Sequence, residues 1–387
     1  MEKLVRIEFV RGSLRPAWFE GETWILFKDL KKIGGKVLVK GMDAEGVEYP
    51  LITDEGYAFS FEEQLKFLLN QEYVVRKKPL IAGLPFHYHK IPFRIFLNKM
   101  LFRLKKKEKK GFPGWPVAPA ADVLLHMQGM LARRKNITWP HGKKYAFWLT
   151  HDVDTGKGLR LLPRFLELEE KYGIRSTNFL VGKYYDMPGE ILEKVRHGRH
   201  EIGLHGDTHD ALLPYLSREQ ILNRLDACRS FMDENEITGF RAPSLLVSEE
   251  LDKVVEKRFA YDSSIPDTEL HMPDSDASGC CSVFPFFQGN LLKIPITLPM
   301  DSSLIFLGYT PEEILKLWLE KLAWIKKLGG IVTVVTHSEK HFSANPEMLG
   351  VYQSLLEMIA ADREVWIATG KEVFQHLKKV QHVPKIN

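Results

Sequence analysis

From residue 143 to the end of the chain, short apolar runs alternate with helix-like stretches. YAFWLT, STNFLVG, EIGLH, GFRAP, FAYDSS, LLKIPIT, IVTVVTH and VWIATG read as strands. Helical patterns stand between them at about 158–172, 189–196, 217–235 (with Ser217 as N-cap) and 311–327, and from Ser248, Pro346 and Gly370 onward. Repeated βα units build a parallel sheet or a barrel and place the site at the strand C-termini. Polar residues collect at those ends: Asp152 and Asp154, His205 and His209, Arg241, Asp262 and His337.

Two of these ends carry a metal-like pattern. The stretch WLTHDVD, residues 148–154, ends an apolar run in carboxylates one residue apart, Asp152 and Asp154. Two anions that close repel unless a cation lies between them or one stays protonated. EIGLHGDTH then puts His205 and His209 four apart, and this spacing predicts two imidazoles on one side of a helical turn. With Asp154 or Asp152 they make two His and one carboxylate, a set that suits Zn²⁺ or a similar first-row divalent ion. An HxxxH pair is common by chance in a chain with 14 His. Its place at a strand end, downstream of the DxD, gives it weight. His151 should face away from both aspartates by strand alternation and is read as structural. Asp207, between the histidines, is a candidate partner behind the metal ligands. His197 and His200 are read as surface residues.

HDVD, HGDTH, FRAPS and VVTH, in that order, resemble the motifs of the polysaccharide deacetylase family, the NodB-homology or family 4-like carbohydrate esterases. The resemblance spans about residues 143–380. The DxD form resembles the branch that includes peptidoglycan deacetylases and allantoinase-like amidohydrolases. It implies a distorted (β/α) barrel and metal-dependent hydrolysis of an N-acetyl group on a sugar. It also implies Asp152 as general base and Asp154, His205 and His209 as metal ligands. Arg241 would hold the base, and His337 would be the general acid. One divalent metal is expected, Zn²⁺ first, with Co²⁺, Ni²⁺, Mn²⁺ or Fe²⁺ as alternatives. The sequence departs from the family pattern in places: Gly206 stands where Ser or Thr is usual, and Pro243-Ser244-Leu245 where Pro-Tyr-Gly is frequent. The Asp that would partner the acid His has two candidates, Asp262 in YDSS and Asp301 in LPMD. Two alternative functions stay open: hydrolysis of a non-sugar C–N bond, and a catalytically silent carbohydrate-binding relative.

The expected fold class is α/β, the barrel over 143–387 being preceded by a smaller α+β N-terminal domain over 1–110. Residues 111–142 read as a linker, with the Pro- and Gly-rich GFPGWPVAP, followed by a helix. Charge is uneven: residues 1–140 carry 25 Lys and Arg against 15 Asp and Glu, and residues 141–387 carry 29 against 35. Eight of the basic residues lie in 94–110, where Phe93, Phe96, Leu97, Met100 and Leu104 share one face of a predicted helix over 92–110. That pattern fits contact with an anionic membrane, or packing on a domain. An N-acetylated carbohydrate is the expected partner, and nucleic acid is not expected. Three cysteines, Cys228, Cys280 and Cys281, make no disulfide framework, and the adjacent pair is read as free thiols in a polar loop. The charged N-terminus lacks an apolar signal-peptide core and no run is long enough for a transmembrane helix. The expected location is therefore cytoplasmic, with peripheral contact at the inner membrane face.

Overall fold

The computed structural model describes residues 2–12, 15–16, 19, 23–79, 119–132, 137–183, 185–269, 278–380 and 383–386, with backbone alone for 130–132. The basic helix expected over 92–110 lies outside the described residues. No helix among the described residues is long and apolar enough to cross a membrane.

Near the N-terminus, strands β1 (Glu2–Phe9), β2 (Trp24–Lys28), β3 (Val37–Met42) and β4 (Glu48–Thr53) form an antiparallel sheet in the order β2-β1-β3-β4. Period-two alternation sends Val5, Ile7, Ile25, Phe27 and Val39 to one buried face. That face shares a core with the helix Phe61–Leu69, whose N-terminus is capped by Ser60, and with the helix Ala120–Ala132. The second helix also docks on the larger domain. Asp122 accepts from the Ser282 hydroxyl at 2.6 Å and from the Val283 N–H at 3.0 Å. Burial pushes the Asp122 carboxyl up to about 7. Cys280 and Cys281 are free, but they are buried in this junction rather than set in a polar loop.

The larger sheet contains β5 (Tyr145–Val153), β6 (Ser176–Leu180), β7 (Glu201–Leu204), β8 (Gly239–Phe240), β9 (Tyr261–Asp262), β10 (Phe286–Gln288), β11 (Leu291–Lys293), β12 (Ile331–His337), β13 (Val365–Ile367) and β14 (Lys385–Ile386). Its order is β12-β5-β6-β7-β8-β9-β11-β10-β14, with β13 beside the start of β5. All neighbours pair parallel except β10 with β11. Beyond β11 the chain bonds back across the gap: Ile296 N–H donates to Ile265 O at 2.9 Å and Leu298 N–H to Thr333 O at 3.0 Å. These bonds close a distorted barrel. Its central strands β5, β6 and β12 are buried along their whole length, as strands covered on both faces must be.

Because the barrel strands run parallel, their C-termini converge on one rim. Two helical stretches are each split. Pro163 removes a helical N–H, so the first becomes Gly156–Leu161 and Pro163–Lys171. The second leaves helical dihedrals at Cys228, giving Arg218–Asp226 and Arg229–Glu234.

Candidate active site

The end of β5 sets the site. Thr150, Asp152 and Asp154 alternate with His151 and Val153, and all five are buried. Arg241, one residue beyond β8, is fully buried beneath them. Its Nη1 donates to Asp152 Oδ1 at 2.7 Å and to Thr150 Oγ1 at 2.8 Å. Its other nitrogens are taken by Ser263: Nε donates to the carbonyl at 2.8 Å and Nη2 to the hydroxyl at 2.9 Å. The guanidinium also lies 4.2 Å from the Phe179 ring centroid. Burial alone would raise the Asp152 pKa. The guanidinium, with His205 and His337, overrides it and holds the carboxyl below its ordinary value.

Asp154 Oδ1 lies 3.4 Å from His205 Nε2 and 3.4 Å from His209 Nε2. It is buried and accepts no hydrogen bond. His205 Nδ1 stands 2.9 Å from the Arg241 carbonyl. A carbonyl only accepts, so Nδ1 donates and Nε2 is the ring nitrogen turned toward Asp154. The ligand atoms of Asp154, His205 and His209 all lie within 4.8 Å of one another. An orphaned carboxylate oxygen between two imidazole nitrogens fits a divalent ion with N and O ligands. The histidines do not share a helical turn as expected, because residues 205–210 form a loop and Gly206 has φ +71°.

His337 ends β12 and is the register partner of Asp152 on β5. Asp301, at the start of the helix Asp301–Leu307, takes His337 Nδ1 at 2.6 Å and its backbone N–H at 2.8 Å. Ser343 Oγ donates to the same carboxylate at 2.6 Å. Burial disfavours the imidazolium, but Asp301, Asp154 and Asp152 outweigh it and push His337 up to about 10.

Of the two candidates for the partner of His337, only Asp301 touches it. Asp262 receives Lys293 Nζ at 2.8 Å and the Ser264 hydroxyl. Ser264 Oγ in turn accepts from Ala242 N at 2.8 Å, so Asp262 steadies the turn after Arg241. Asp207 lies on Arg224, not on the histidines' rings. His151 faces out of the barrel, with Nε2 2.8 Å from Glu169. His200 is not a surface residue: it is buried, its Nδ1 3.3 Å from the other Glu169 oxygen, while His197 is exposed.

Three contacts at the site have no sequence motif. Glu339 Oε1 accepts from Thr155 N at 3.1 Å and Thr155 Oγ1 at 3.2 Å. Tyr185 OH donates to Val153 O at 2.6 Å. Together they pin the peptides on either side of Asp154. The third is Ser263 on Arg241; its only sequence signal is the run of two serines after Asp262.

Residues 141–259 match the family model described as polysaccharide deacetylase. The matched segment is similar to that family and carries Asp152, Asp154, His205, His209 and Arg241. A peptidoglycan deacetylase from Helicobacter pylori is 21% identical to this chain over 247 residues, 56% of this chain and 84% of its own length. Solved structures share the fold of the larger domain. A putative polysaccharide deacetylase from Mycobacterium smegmatis superposes with a TM-score of 0.55 at 21% identity, covering 65% of this chain and 96% of its own. A probable polysaccharide deacetylase from Pseudomonas aeruginosa PAO1 gives 0.53 at 14% identity, covering 65% and 97%. The Puue allantoinase is similar too, with a TM-score of 0.55 at 15% identity over 64% of this chain and 96% of its own.

Proposed function

We propose that this chain is a metal-dependent hydrolase that removes an N-acetyl group from a glycan or glycan precursor. The observation that carries the reading is the opposition of Asp152, held by Arg241, to His337, held by Asp301, on neighbouring strands beside the Asp154–His205–His209 cluster.

Asp154, His205 and His209 would hold one divalent ion, zinc being the first choice for this donor set. That ion supplies Lewis acidity toward the acetyl carbonyl and toward water. Asp152 is the general base: held ionised by Arg241, it takes a proton from the attacking water. His337 is the general acid. Its Nδ1 proton is committed to Asp301, so Nε2 delivers the proton to the departing amine. A C–O bond forms at the carbonyl, the C–N bond breaks, and acetate and a free amine leave.

The basic amphipathic pattern of residues 92–110 suits contact with an anionic membrane, where lipid-linked glycan precursors would be met. The substrate class is tested by incubating the zinc-loaded protein with N-acetylglucosamine oligomers, peptidoglycan fragments and allantoin. Acetate release from a glycan is expected. Ring opening of allantoin to its free acid, with no acetate released from any glycan, would overturn the glycan assignment.

A further inference from the structure

The loop that carries His209 is not braced by regular structure. Residues 205–210 contain no helix, and Gly206 contributes no side chain. A Cβ there would meet Pro243 Cγ at 2.8 Å, so the loop is pressed against the turn after Arg241. Backbone bonds hold its first half: Gly182 N donates to Gly206 O at 2.9 Å and Lys183 N to Asp207 O at 2.8 Å.

Among the described residues, Arg224 reaches the half that bears His209 from three sides. Its Nε donates to both Asp207 carboxylate oxygens, at 2.9 and 2.8 Å. Its Nη2 reaches Asp207 Oδ1 at 2.7 Å and the Thr208 hydroxyl, and Nη1 lies 2.9 Å from Asp210 Oδ2. Asp210 Oδ1 accepts from Leu212 N at 3.0 Å, tying the far end of the loop. The guanidinium therefore grips the residues two before, one before and one after His209. Arg224 is itself fixed, because its helix starts with a Ser217–Gln220 capping box and is anchored by buried Ile221 and Leu225. A planar fork with five donors suits three side chains at once, and a lysine does not.

We propose that Arg224 is a positioning residue for the metal site, pre-setting His209 Nε2 toward Asp154 and drawing the flanking carboxylates of Asp207 and Asp210 away from the ion. The inference rests on the assignment of Asp154, His205 and His209 as ligands. Partners of this kind typically change metal affinity by about 10–100-fold.

The test is the Zn²⁺ dissociation constant, read by competition with a chromophoric chelator, together with the absorption spectrum of the Co²⁺-loaded protein. Arg224→Ala is expected to weaken Zn²⁺ by about 10–100-fold and to alter the Co²⁺ bands, with Arg224→Lys restoring part of the loss. Wild-type affinity and an unchanged Co²⁺ spectrum in folded Arg224→Ala would overturn the proposal. If Arg224→Ala does not fold, Asp210→Asn decides: a smaller loss of affinity supports the clamp, and wild-type affinity overturns it. His209→Ala separates the two layers. Its loss of metal alongside an unaffected Arg224→Ala refutes the clamp alone, whereas wild-type metal affinity in His209→Ala refutes the ligand assignment beneath it.

Discussion

The Asp301 carboxylate grips His337 at two points, the ring Nδ1 at 2.6 Å and the backbone N–H at 2.8 Å. This sets both the tautomer and the charge of the imidazole. Asp301 raises the His337 pKa well above the ordinary histidine value, so in the proposed mechanism acid capacity is lost on the alkaline side. Asp301→Asn should lower the alkaline limit of kcat/KM toward the ordinary histidine value near 6.5 and reduce the rate at pH 8 by roughly 10²-fold. A kcat/KM profile with an unmoved alkaline limb would contradict this. The same shift has a stability sign. A folded-state pKa above the unfolded one contributes stability that is complete below about 6.5 and lost as pH rises through about 10.

Arg241 and Asp152 form a buried pair, and breaking one side leaves an unpaired charge. Arg241→Met should cost about 3–5 kcal/mol of stability. Arg241→Met combined with Asp152→Asn should cost clearly less than the two single changes added together. Urea unfolding of the four proteins checks it, and strict additivity would contradict the pairing.

Gly158 sits in a helix where alanine is ordinarily favoured. Here an added Cβ falls on Glu339 Oε1 and next to Ser338 Oγ. Gly158→Ala should therefore destabilise the protein by about 1–3 kcal/mol and displace Glu339 from Thr155. A stabilised Gly158→Ala protein in thermal unfolding would show that Glu339 does not occupy that space.

Glu169 is hydrogen-bonded to His151 and the Tyr352 hydroxyl, with His200 Nδ1 3.3 Å from its other oxygen, in a fully buried cluster behind β5. Burial opposes its charge, and the two histidines override it, so its pKa lies below the usual 4.5. A depressed carboxylate pKa gives stability that is present above about 4.5 and lost as pH falls below it. Glu169→Gln should lower the melting temperature at pH 7 and flatten its fall on acidification. Parallel acid limbs for the two proteins would contradict the assignment.

Much of the site was legible because its chemistry stands at strand ends in chain order. The DxD, HxxxH, Arg241 and His337 all follow apolar runs that become β5, β7, β8 and β12. Asp301 could not be preferred to Asp262 from sequence, since its contact with His337 arises from packing of residues 296–301 across the barrel gap. Arg224 and Glu339 stand in no motif; folding sets Arg224 on Asp207 and Asp210 and buries Glu339 beside Thr155. Glu169, within PRFLELEEK, looks like its solvated neighbours, yet it faces inward where the helix crosses β5. The loop form of HxxxH escaped because a four-residue spacing suggests a helical turn, and Gly206 takes a backbone conformation that breaks it.

The central claim is a metal held by Asp154, His205 and His209 and a separate base at Asp152. Metal content and acetate release should be measured together on the wild-type, His209→Ala and Asp152→Asn proteins after reconstitution with zinc. The expected result is one zinc per chain in wild type and Asp152→Asn, little in His209→Ala, and acetate release only from wild type, with Asp152→Asn slower by roughly 10²–10⁴-fold. Full zinc occupancy in His209→Ala, or wild-type acetate release from Asp152→Asn, would contradict the account.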